Sequence, residues 1–207
     1  MKDIVFALLA AVVTGTALLG VLSIVIISWK NGISPMPASA VVRRAVAREA
    51  RLLQQESPGG LLIEAGSGWG TLAFHLDKHC RGWRIIGLEN SFVPLAASRL
   101  VNALNRSGAR VSFLRQNIYD YNFGDAGVIV CYLYPGANKR LAGQWRDQCK
   151  PGACIVSACF ALPDWKPEKE VICRDMYRTK VYVYRVPAQK PPFSSSMVKE
   201  NVQTTGK

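Results

Sequence analysis

The polar and apolar positions of the chain change rhythm three times. Residues 4–28 contain no charged side chain and are built from Ile, Leu, Val, Ala and Phe with scattered Gly, Thr and Ser. As a helix this run would be roughly 37 Å long, more than the ~30 Å hydrocarbon core of a bilayer, and it predicts one tilted spanning helix over residues 1–30. A cleaved signal would have an apolar region of about 7–15 residues after a positive start. Here Lys2 is offset by Asp3, so Ala38, Ser39 and Ala40 read as linker and not as a cleavage site.

After the span, Pro35 and Pro37 punctuate a linker. Over residues 40–54 the period becomes helical: Val42, Ala45, Val46, Ala50 and Leu53 fall on one face and Arg43, Arg44, Arg48 and Arg51 spread over the other. Residues 31–60 are thus a Pro-containing linker and a basic amphipathic helix.

Beyond residues 57–60 (SPGG), strand-like runs alternate with helical ones. The pattern predicts strands over 61–65, 83–89, 110–116, 127–133 and 153–160, and helices over 71–80, 93–105 and 138–149. Such alternation calls for an α/β domain over residues 61–186, with a mostly parallel sheet covered by helices on both faces. The last strand, 179–186 (TKVYVYRV), has no helical crossover before it and is expected as an antiparallel edge strand. The polar tail, 187–207, lacks the apolar mass to fold and is expected to be disordered.

The formal net charge is +12 and lies entirely outside the span. A basic surface favours anionic partners. For a tethered chain an anionic membrane surface is nearer than nucleic acid, which makes nucleic acid unlikely. Lys30 and the four arginines of the basic helix follow the span, while Lys2 alone precedes it, which orients the domain to the cytoplasmic side of the plasma (inner) membrane. The six cysteines include no CxxC pair and several lie in strand-like runs, as buried free thiols would.

The chemistry concentrates in EAGSGWG, residues 64–70, between the first strand and the first helix. Glycines at alternate positions let the backbone turn sharply and approach a ligand closely. The spacing is GxGxG rather than the GxGxxG of dinucleotide folds. S-adenosylmethionine has no phosphate and carries a cationic ammonium and a sulfonium, so a carboxylate before the glycines, Glu64, is useful. Glu89 ends the second strand, where an acid can accept hydrogen bonds from both ribose hydroxyls, and Asn90 follows it.

On these residues the chain resembles the class I S-adenosylmethionine-dependent methyltransferases, over about residues 35–186. More narrowly it resembles the small membrane-anchored group that includes the ATP synthase c-subunit lysine methyltransferases and their prokaryotic relatives. Carrying that narrower likeness are SPMPAS, YLYP at residues 132–135, LPDW at residues 162–165 and the aromatic VYVYR strand. The resemblance implies a Rossmann-like sandwich using S-adenosyl-L-methionine. Glu64, Ala65, Gly66, Ser67, Gly68 and Gly70 would surround its methionine part and Glu89 its ribose. Asn117, where this class often has Asp, and Ile118 would meet the adenine. Trp69 also stands where relatives often have Asp.

Tyr132, Tyr134 and Pro135, after the fourth strand, are the expected acceptor-side residues, working by alignment and cation–π attraction without a dedicated base. Asp120 and Tyr121 could border the pocket, and Asp164 and Trp165 could close over it. His75 and His79, with Cys80 beside them, share a helix face, but no further ligand cluster supports a metal. Three functions follow: methylation of a lysine of a membrane protein, methylation of a lipid or lipophilic small molecule, or a non-catalytic binding module with the same fold. The oligomeric state is left open.

Overall fold

The computed structural model describes residues 2–31, 37–56, 60–105 and 110–187. Helix α1 (Lys2–Asn31) precedes the domain, and its Lys2–Ser23 part is long and apolar enough to cross a membrane by length and composition. Then follow α2 (Ala40–Glu56), β1 (Gly60–Ala65), α3 (Thr71–His79), β2 (Trp83–Glu89), α4 (Phe92–Leu104) and β3 (Val111–Arg115). The chain continues through β4 (Val128–Cys131), α5 (Pro135–Gln148), β5 (Cys154–Ala158), β6 (Lys169–Ile172) and β7 (Lys180–Arg185).

The sheet has seven strands in the order β3-β2-β1-β4-β5-β7-β6. The five strands β1 to β5 pair in parallel, with Ile63 opposite Ile86 on one side and Ile129 on the other, and β7 is antiparallel to both β5 and β6. Because successive strand side chains point to opposite faces, each strand feeds two cores. Leu62, Ile85, Val128, Val130, Val156 and Val181 pack with Val42 and Val46 of α2 and Leu72 and Leu76 of α3. Ile63, Leu88, Ile129, Ile155 and Tyr184 pack on the other face with Leu141 and Trp145 of α5.

Two expectations change. The C-terminal strand is antiparallel but is not the edge, because β6 pairs with its outer side. Residues 169–172 (KEVI) are charged and mostly exposed, so no strand-like run marked them. Strand β6 is held by its ladder to β7 and by the Lys169 Nζ, 2.7 Å from the buried Glu49 carboxylate of α2. Helix α5 begins at Pro135, three residues earlier than its apolar pattern indicated, with the proline in the first turn where its missing N–H costs nothing. Residues 32–36 of the linker and 188–207 of the expected disordered tail lie outside the described residues. Of the six cysteines, Cys159 is half-buried and the other five are buried.

Candidate functional site

The turn from β1 into α3 is shaped by three left-handed glycines, Gly66, Gly68 and Gly70, with φ of +78°, +51° and +74°. At Gly70 a Cβ would lie 2.7 Å from Cζ of Phe113, and at Gly66 it would lie 2.8 Å from Cδ2 of Leu133, so packing as well as φ demands glycine. The Gly66 and Ser67 N–H groups donate to the Leu88 carbonyl at 3.1 and 2.8 Å, tying the turn to the end of β2.

At that end Glu89 is almost fully buried. Its Oε2 accepts from the Gly68 N–H at 2.8 Å and its Oε1 from the Ser91 N–H at 2.7 Å. Each oxygen keeps a lone pair for a hydroxyl beyond these two anchors. Glu64, at 4% exposure, has an Oε2 with no partner. Burial pushes its carboxyl well above the usual range, the Ala73 N–H opposes this, and the charge of Glu89 adds to the rise. Ala73 is the third residue of α3, whose N-cap Gly70 has no side chain to offer, so Glu64 supplies the cap from a distance.

These groups wall a cavity of about 400 Å³ that also takes in Trp69, Asn90, Gln116, Asn117, Ile118, Tyr132, Leu133 and Tyr134. A desolvated carboxyl group with one unpartnered oxygen beside a glycine turn fits a cationic amino-acid end, and the anchored Glu89 fits a diol. The orphaned hydroxyl of buried Ser67 is a further polar group for the same ligand. The residues therefore fit S-adenosylmethionine, whose ammonium Glu64 and Ser67 could hold and whose ribose Glu89 could hold.

Most of the residues singled out from the sequence converge here, but Ala65, Gly70 and Pro135 are not among the lining residues. Ala65 is fully buried in the core, Gly70 is packed under Phe113, and Pro135 starts α5. Asn117 lines the cavity, but its Oδ1 already accepts from the Tyr119 N–H at 3.2 Å and its Nδ2 donates to Asp120 at 2.7 Å, capping the 3-10 turn Ile118–Asp120. Asp120, Tyr121, Asp164 and Trp165 do not line it. Trp165 packs edge-on against Tyr184 and under Arg146. From the same loop Phe160 reaches the wall, its carbonyl accepting from Ser157 Oγ at 2.7 Å and Asn138 Nδ2 at 3.1 Å. The His75 and His79 rings lie 4.3 Å apart and tilted by 36°, and among the described residues no group of three or more potential metal ligands forms.

The structure adds Tyr119, Arg140, Phe160, Pro37 and Ala38 to the wall. The Arg140 guanidinium sits 3.8 Å over the Tyr119 ring. The Tyr119 phenol is pushed up to about 12, first by burial and then by its hydrogen bond with Tyr134 and that residue's charge, with Arg140 opposing. Burial, then Cys159 and Asp175, also raises Tyr132. At neutral pH these phenols are uncharged: they offer π faces and hydroxyls, not a base.

Fold and site together define a class I methyltransferase. The ANTKMT methyltransferase domain family matches residues 64–169, and the chain belongs to that family. The chain is 22% identical over 147 residues to a protein-lysine N-methyltransferase of Saccharolobus islandicus, covering 70% of this chain and 91% of that protein. Among solved structures it resembles an RNA methyltransferase of Salinibacter ruber in complex with S-adenosyl-L-homocysteine (TM-score 0.65, 23% identity, 76% of this chain and 97% of that one). It also resembles the magnesium protoporphyrin IX methyltransferase of Synechocystis with bound S-adenosylmethionine (TM-score 0.55, 14% identity, 74% and 86%). The chain is accordingly an S-adenosylmethionine-dependent methyltransferase.

Proposed function

We propose that the enzyme is a protein-lysine N-methyltransferase held in the plasma (inner) membrane by α1, its domain cytoplasmic and its acceptor a lysine of a membrane-embedded or membrane-proximal protein. The observation that carries this reading is that Pro37 and Ala38, the first described residues after α1, belong to the cavity wall. Even fully extended, the chain from Asn31 to Pro37 reaches only about 20 Å. A bilayer that holds α1 therefore has this wall close to its surface, where tethering raises the effective concentration of a membrane acceptor.

The lysine is supported by the Saccharolobus relative and by the aromatic side of the cavity. The donor brings a methyl group already activated on a sulfonium, so the chain's own residues have to bind, dehydrate and align. Tyr132 and Tyr134 can turn their ring faces toward a cationic or partly methylated amine. Desolvation among them favours the neutral, nucleophilic form of a lysine. Membranes incubated with the full chain and methyl-labelled S-adenosylmethionine, then divided into protein and lipid fractions, test the reading. Label recovered as methyl-lysine supports it; label confined to lipid overturns it.

A further inference from the structure

The loop joining β6 and β7, residues 173–179 (CRDMYRT), is a tightly braced turn with an apolar tip. The Cys173 N–H donates to the Thr179 carbonyl at 2.8 Å, and the Arg178 N–H to the Asp175 carbonyl at 3.1 Å. The Asp175 carboxylate accepts from both the N–H and the hydroxyl of Thr179, at 2.7 and 2.5 Å. Between these braces Met176 is 84% and Tyr177 82% exposed, the largest exposures among the large hydrophobic residues described. Two adjacent apolar side chains held out in water by a braced turn are suited to insert into a receiving surface.

The register says where this tip points. Ala158 at the end of β5 pairs with Val181, the Cys159 N–H donates to the Lys180 carbonyl, and Ile172 pairs with Lys180 from the other side. The turn thus projects from the carboxyl end of β5, the edge of the sheet where Phe160 and Tyr132 line the cavity. Pro37 and Ala38, where the chain arrives from α1, line the same cavity. Arg174 and Arg178 flank the tip. Tyrosine and thioether side chains between two arginines suit the headgroup layer, with the rings at the interface and the guanidiniums on phosphates.

We infer that the β6–β7 turn is a second membrane contact, seating the cavity rim on an anionic lipid surface through Met176 and Tyr177 while Arg174 and Arg178 meet lipid phosphates. This rests on the reading of α1 as a membrane span and deepens it. A second contact at the cavity rim fixes which edge of the domain faces the bilayer.

The test uses the full chain reconstituted in phosphatidylcholine vesicles with or without phosphatidylglycerol. Peroxide oxidation of Met176 is followed by mass spectrometry on the tryptic peptide that holds it, residues 175–178 in the native chain and 170–180 in the variant. Oxidation should be several-fold slower in the anionic vesicles. The Arg174→Glu, Arg178→Glu double variant should lose that protection while its titration with S-adenosylmethionine is unchanged. Equal rates in the two vesicle types, or protection that survives charge reversal, overturns the inference. So does protection seen only in native membranes, which would mean a protein partner covers the turn. Alkaline carbonate washing separates the two readings: a chain that washes off fails as an anchored protein, whereas a retained chain with freely oxidised Met176 fails only in its hairpin contact.

Discussion

The backbone N–H of Gly68 meets Oε2 of Glu89 at 2.8 Å, so the glycine turn and the acid at the end of β2 hold each other in place. Neither could be placed by its own strand alone. The left-handed Gly68 aims its N–H across the turn, and the carboxylate answers with one oxygen while giving the other to Ser91. The Glu89 carboxylate is therefore held in one orientation by the backbone alone.

From this pairing, Glu89→Gln should be costly although nearly isosteric. The amide turns a donor toward one of two N–H groups and removes a charge-assisted bond, at about 2 kcal/mol. Affinity for S-adenosylmethionine should fall roughly 30-fold, with a lowered melting temperature. Calorimetric titration checks it, and unchanged affinity would remove Glu89 from the donor site.

Glu64 should make donor binding depend on pH. Its folded-state pKa lies above the unfolded one because of burial, so the native protein keeps an extra proton between the ordinary carboxylate range and that raised value. Stability from this group is full below the window and declines as pH rises through it. A cationic ligand needs the ionised form, so affinity should climb with pH across the same window and then level off, by at most about tenfold per pH unit. Titrations over pH should show this slope in the native protein and not in Glu64→Gln. A flat native profile would mean that Glu64 does not pair with the ammonium.

Gly70→Ala should destabilise the domain by about 2–4 kcal/mol, combining a left-handed residue with a Cβ forced against the Phe113 ring. Gly143→Ala is the contrast. That glycine lies in α5 with nothing within 4 Å of its Cβ position, and alanine there should stabilise by about 0.5–1 kcal/mol. Urea unfolding of the two variants measures both.

The parallel part of the sheet, and the glycine turn with its two flanking acids in the cavity wall, were legible because local rules fix them. Leu62 and Ile63 alternate between two cores, and GxGxG with acids on both sides has few other uses. What could not be read depends on partners far along the chain. The strand at residues 169–172 has no apolar pattern and exists because β7 and Glu49 receive it. Arg140 reaches Tyr119 only after α5 packs, and Phe160 enters the wall because Ser157 and Asn138 hold its carbonyl. Asn117 lines the cavity, but the sequence could not tell that its side chain would cap the turn it begins.

Thiol chemistry should follow burial. Burial pushes Cys131 up to about 12, against the opposing bond from Ser157, and pushes Cys80 and Cys149 up to about 11. At pH 8 about one in a thousand or fewer of these thiols is ionised. Half-buried Cys159 should be alkylated first by a maleimide under native conditions, with Cys131 reacting only on unfolding. Peptide mass spectrometry at timed intervals reads the order, and early modification of Cys131 would contradict the packing of β4.

The acceptor side can be separated from the donor side at Tyr134. Its ring lies so close to Gly136 that a Cβ there would sit 2.6 Å from it, and its hydroxyl pairs with Tyr119, so both the ring's position and its hydroxyl are specified. If the ring serves a cationic or partly methylated amine, Tyr134→Phe keeps the π face and should retain methyl incorporation within about threefold. Tyr134→Ala removes the face and should lower incorporation into membranes by roughly 10–100-fold, a loss of about 1.4–2.7 kcal/mol of transition-state stabilisation. S-adenosylmethionine affinity, measured separately, should change little in Tyr134→Phe. A loss confined to donor affinity in Tyr134→Ala would reassign this tyrosine to the cofactor, and an equal loss of incorporation in Tyr134→Phe and Tyr134→Ala would assign its role to the hydroxyl and the bond to Tyr119.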